Sequence, residues 1–81
     1  MIRVNVKLFG AFRAHGESVA LVVRKHGSIS DVRAALLARL GAERAELLSL
    51  SRFADSHAIL AEDTPVADGA ALALLPPVSG G

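Results

Sequence analysis

Apolar and polar residues alternate without interruption from Ile2 to Leu8, with Ile2, Val4, Val6 and Leu8 on one side and Arg3, Asn5 and Lys7 on the other. A period of two over this length predicts a strand with one buried face. The same phase places Phe9 on the polar face, an unusual position for a phenylalanine. Ser18 to Val23 reads as a second strand, and Gly10 to Gly16 as the connection that joins the two into an antiparallel hairpin. The period then changes. Ile29, Val32, Leu36 and Leu40 recur at spacings of three and four, which predicts a helix with one apolar stripe turned to the sheet. Ser28 is suited to cap its start, with Asp31 completing a variant of the capping box at the positive end of the helix dipole. Gly41 is placed to end it as a left-handed residue.

Beyond the helix the pattern is shorter in range. Glu43 to Leu48 predicts a brief helical turn, and two short strands are expected within Leu50–Ala54 and His57–Leu60. Glu62-Asp63-Thr64-Pro65 and Asp68-Gly69 are turn signals. The last strand is Ala70 to Leu75, where Leu72 and Leu74 point one way and Leu75 the other. Pro76-Pro77 ends it, because proline cannot donate to a ladder and holds its predecessor extended. Strand, strand, helix, two short strands and strand make an α+β arrangement, a small mixed sheet packed on one main helix. A helical crossover sets the first and last strands side by side and parallel. Residues 1–75 are thus expected to form one domain, and residues 76–81 an extended C-terminal tail.

Composition narrows the function. With 81 residues, 52% hydrophobic and 21% charged, and a mean hydropathy of +0.44, the chain carries more apolar surface than so small a core can hide. An exposed patch and a protein partner are expected. A net charge of +1 with dispersed cations argues against nucleic acid. Arg24-Lys25-His26, the densest basic run, reads as a solvated turn. No segment approaches the 18 apolar residues of a membrane span, and Met1-Ile2-Arg3-Val4 leads straight into a strand, so a cytoplasmic protein without membrane contact is expected. Cysteine is absent, which removes disulfides, thiolate metal sites and a cysteine nucleophile together. His15, His26 and His57 share no ligand or triad spacing, and no phosphate-binding glycine loop occurs. The globule has no evident active site of its own.

The tail is different. Its six residues reach roughly 20 Å at about 3.3 Å per residue. Pro76-Pro77 stiffens the stem, Val78 offers a small apolar grip, and Ser79-Gly80-Gly81 thins the thread so that it could enter a narrow tunnel. A terminal carboxylate with a pKa of about 3.5 is ionised at neutral pH and can attack the α-phosphate of ATP when a partner supplies the site.

Asp68-Gly69 ahead of an apolar strand, the run Leu75-Pro76-Pro77-Val78-Ser79-Gly80-Gly81, and Val6-Lys7-Leu8-Phe9-Gly10 with Arg13 and Ser28-Ile29 together resemble the small subunit of molybdopterin synthase, the MoaD family. The resemblance covers essentially the whole chain and implies a ubiquitin-like β-grasp fold. It implies that Gly81 is adenylated by an E1-like enzyme of the MoeB type using ATP and is then converted to a thiocarboxylate. The tail would next enter a large subunit of the MoaE type and pass its sulfur to cyclic pyranopterin monophosphate. On this basis Gly81 carries the acyl group and Gly80 keeps the thread slim. The chain itself binds no cofactor or metal. Partner contacts fall on Phe9, Arg13, Ile59, Leu75, Pro76, Pro77 and Val78. Ala14, Ser56 and Ala70-Ala71 depart from the family pattern, which bears on partner pairing and not on the tail. The alternatives are a sulfur carrier for thiamine or another sulfur pathway, a ubiquitin-like modifier joined through Gly81 to lysines, and a binding module with an idle tail.

Overall fold

The computed structural model describes residues 1–77; Val78, Ser79, Gly80 and Gly81 lie outside the described residues. Four strands, β1 (Ile2–Leu8), β2 (Ser18–Val23), β3 (Arg52–Ala54) and β4 (Ala70–Leu75), form one sheet in the order β2-β1-β4-β3. β1 pairs antiparallel with β2, from Ile2 opposite Val23 to Lys7 opposite Ser18. It pairs parallel with β4, from Val4 opposite Ala70 to Leu8 opposite Leu74. β3 adds to β4 antiparallel, with Arg52 opposite Leu75. The crossover needed for the parallel pair is helix α1 (Ile29–Leu40), followed by the short helix α2 (Ala45–Ser49).

The periodicities explain why these elements meet. Val4, Val6 and Leu8 from β1, Leu72 and Leu74 from β4, and Ile29, Val32, Leu36 and Leu40 from α1 are all buried in one cluster. Each such side chain contributes about 1.5–3 kcal/mol relative to exposure. The start of α1 is fixed as its sequence foretold: the Ser28 amide donates to Asp31 Oδ2 at 2.8 Å. That bond, with Arg24 nearby, holds the Asp31 carboxyl below its ordinary value.

Three details differ from the pattern reading. Gly10 to Gly16 is more than a connection. Gly10–His15 winds as a 3₁₀ turn that drives Phe12 completely into the core. Gly41 has the positive φ expected of a helix-ending glycine, 103°, but its ψ of 156° takes the chain outward instead of into the left-handed helical turn. His57–Leu60 is not a strand. Asp55 Oδ1 accepts from the amides of His57 and Ala58, pinching the chain into a turn, and only an isolated bridge between Ala54 and Ile59 remains. The same two amides pull the Asp55 carboxyl below its ordinary value.

Arg33 ties the loops to the helix. Its guanidinium donates through Nε to Glu62 Oε1 at 2.8 Å and through Nη2 to Glu62 Oε2 at 2.7 Å. Nη1 donates to the Leu48 carbonyl, and the group lies 5.2 Å from the centre of the buried Phe53 ring. The two-pronged bond from Arg33 holds the Glu62 carboxyl below its ordinary value of 4.5, although partial burial acts the other way.

Candidate functional site

The parallel pairing of β1 and β4 makes both strands leave the sheet at the same end, and the tail departs from there. With Leu8 opposite Leu74, the next positions in step are Phe9 and Leu75. Phe9 remains extended, at φ −136° and ψ 163°, so the alternation carries its side chain to the outer face, away from α1. Lys7 shares that face, with Nζ 5.6 Å from the centre of the Phe9 ring. Leu75 lies opposite in phase to the buried Leu72 and Leu74, on the same outer face. Ile59 joins them there through its bridge to Ala54, which pairs in turn with the outward-facing Ala73. Ile59 is 63% exposed, whereas Phe9 and Leu75 are half-buried. Of the exposed large apolar side chains among the described residues, Met1, Val22, Leu50 and Ile59, only Ile59 is one of the expected contact positions.

Arg13, on the 3₁₀ turn, stands at the margin of this face. With Asn5, Lys7 and Ala71 it lines a shallow groove across the outer sheet. Its guanidinium lies 3.6 Å from Glu17 Oε1, and both side chains are well exposed, so the pair restrains Arg13 only weakly. Lys7, Arg13 and Glu17 give the groove charges of both signs. Pro76 is half-buried and Pro77 exposed, so the chain lifts off the globule between them. Val78, Gly80 and Gly81, also expected to act, lie outside the described residues.

The sequence reading passed over Gly10 as a site residue. It lies directly against the Pro76 ring. The available signal was its offset: Gly10 follows Leu8 by two positions, as Pro76 follows Leu74. The histidines stay apart. His15 Nε2 accepts from Arg44 Nε at 3.1 Å, and His26 sits in a turn with φ 66°. Among the described residues, no group of three or more histidine, aspartate or glutamate side chains is placed to hold a metal ion. No helix there is long and apolar enough to cross a membrane.

A mixed four-stranded sheet crossed by one main helix, with a chain end leaving beside its central strands, defines a ubiquitin-like β-grasp protein. The solved structures agree. SAMP1 from Haloferax volcanii is 27% identical at a TM-score of 0.75, covering 98% of this chain and 99% of that one. A chain of the complex of subunits 1 and 2 of molybdopterin-converting factor from Helicobacter pylori 26695 is 27% identical at 0.65, covering 99% and 100%. A putative molybdopterin converting factor subunit 1 from Pyrococcus furiosus, at 19% identity and 0.81 over 96% and 100%, is a likeness of fold. Residues 6–81 match the ThiS family, and the chain belongs to it, among the ThiS/MoaD-like ubiquitin-like sulfur carriers. No curated protein matches the chain in sequence.

Proposed function

We propose that this protein is the sulfur-donating small subunit of a molybdopterin synthase. The Gly81 carboxylate attacks the α-phosphate of ATP in an E1-like enzyme of the MoeB type, releasing pyrophosphate. A sulfur donor then displaces AMP from the acyl-adenylate and leaves a thiocarboxylate on Gly81. Gly80 lets the tip pass into a large subunit of the MoaE type, where the sulfur is given to cyclic pyranopterin monophosphate. Phe9, Leu75 and Ile59 supply the apolar docking contacts, Arg13 a charged one, and Pro76, Pro77 and Val78 line the approach.

The observation that carries the sulfur-carrier part of this reading is the family match, which runs from residue 6 through Gly80-Gly81. The likeness to a subunit of molybdopterin-converting factor, solved as a complex of its subunits 1 and 2, supports the large-subunit partner. The lack of cysteine in the sequence leaves the carboxylate as the group to which sulfur can attach. The test is intact-protein mass spectrometry after incubation with the activating enzyme, ATP and a sulfur donor. The expected product has one oxygen of Gly81 replaced by sulfur; an unchanged mass, where a control carrier is converted, would overturn the proposal. The likeness to SAMP1, a small archaeal modifier protein, favours one other reading, a modifier joined through Gly81 to lysines. That reading predicts lysine adducts of this protein in extracts of its host.

A further inference from the structure

β1 and the chain after β4 part company at one point. Following the register from Leu8 and Leu74, Gly10 comes level with Pro76. There the first chain turns aside: Gly10 has φ 57° and opens the 3₁₀ turn that carries Phe12 into the core. The second chain runs on into a proline, which has no N–H to donate, so ladder bonding stops and packing must set its direction. Pro76 packs against bare backbone. A Cβ on Gly10 would stand 3.0 Å from Pro76 Cγ and 3.8 Å from Pro76 Cβ. Carbon atoms in favourable contact stand about 3.5–4.0 Å apart, so the ring already fills the space a side chain would take.

We propose that Gly10 is a positioning residue for the tail: the missing side chain seats the Pro76 ring, and that seat sets the direction in which the tail leaves the sheet. Glycine is favoured twice over here. The positive φ disfavours any other L-residue for reasons internal to the turn. The Pro76 ring excludes a side chain for reasons of aim. The second requirement concerns the working end of the protein, and its effect on the reaction rests on the sulfur-carrier reading. Its geometric content does not.

The two requirements separate in a cycle of Gly10→Ala, Pro76→Ala and the double variant. Pro76→Ala removes Cγ, the atom nearest the added methyl. Gly10→Ala is expected to lower the melting temperature by about 4–8 °C in the Pro76→Ala background, where the strain in the turn acts alone, and by at least as much in the wild type. Aim is read by NMR on the full chain. In the wild type, Gly10 Hα should show NOEs to the Pro76 ring protons. In Gly10→Ala, the Cα–Hα residual dipolar couplings of Pro76 and Pro77 should change while those of β1 and β4 stay constant. Unchanged couplings at both prolines would overturn the proposal, whatever the protein does in the cell.

The reaction supplies the second arm. With the activating enzyme and ATP, Gly10→Ala should reduce the rate of Gly81 adenylation by about tenfold or more, the scale expected for a misdirected reactant. In the Pro76→Ala background the same change should add less than twofold. Equal losses in both backgrounds would refute positioning through Pro76. A wild type that is not adenylated at all would overturn the carrier reading instead, leaving the couplings to judge the seat.

Discussion

Two segments are fastened to this globule by opposite means. The loop around Glu62 is held by charge and direction: a two-pronged bond from Arg33, a third bond from Arg33 to the Leu48 carbonyl, and a ring beneath the guanidinium. The stem at Pro76 is held by shape: a proline ring on a glycine, next in line to Phe9 and Leu75. Directional bonds specify one arrangement and are costly to leave unmade, which suits a joint that must not move. Packing fixes the stem only while the two surfaces meet, and it leaves no hydrogen bond unmade when they part. On the proposed function, the fastening differs according to whether the segment has work to do elsewhere.

The comparison can be broken most decisively at the tip. Deleting Gly81 should abolish sulfuration of the pterin while leaving the melting temperature unchanged; retained transfer would show that the tail is not the working end. Next comes the clamp. Arg33→Ala leaves Glu62 and the Leu48 carbonyl without their donor and should cost about 1–3 kcal/mol in urea unfolding, with Gly81 activation unaltered below the melting point. A loss of activation without a loss of stability would reverse the assignment of the two regions. Phe9→Lys should weaken binding to the large subunit about tenfold, equivalent to roughly 1.4 kcal/mol, with stability within about 0.5 kcal/mol of the wild type. Calorimetric titration showing equal affinity would remove the outer face from the interface.

The smallest effect concerns acid. Arg33 lowers the folded-state pKa of Glu62, so this carboxylate's contribution to stability is complete above its ordinary value of 4.5. It is lost as pH falls from there through the depressed folded value. Glu62→Gln should therefore flatten the acid limb of a stability profile measured by urea midpoints, modestly, since Glu62 remains 44% exposed. Parallel limbs for the two proteins would show that the clamp draws little from charge.

What the sequence made legible follows from range. Strands β1, β2 and β4, helix α1 and the parallel neighbours β1 and β4 were readable because period, caps and crossover rules act locally or constrain topology as a whole. Phe9 and Leu75 stood out because they break phase with their own strands. The Arg33 clamp joins positions 29 residues apart and has no periodic signature. Phe12 was hidden for another reason: between two glycines it looked like loop, and only its burial shows that the turn after β1 plugs the core. The run from His57 to Leu60 has strand-like residues, but Asp55 two places earlier captures its amides and turns it. Gly10 escaped because its importance lies in what approaches it, and Pro76 arrives from the other end of the chain.

The strand order β2-β1-β4-β3 has a consequence for how the molecule is made. β4, near the end of the chain, lies in the middle of the sheet, between the first strand and the third. A nascent chain halted before Ala70 contains the sequences of the hairpin and the helix but lacks the strand that joins β3 to β1. The sheet closes late, through contacts far apart in sequence, which slows folding. That same closing step brings Pro76 to Gly10. The seat of Pro76 on Gly10 therefore exists only once the sheet is complete.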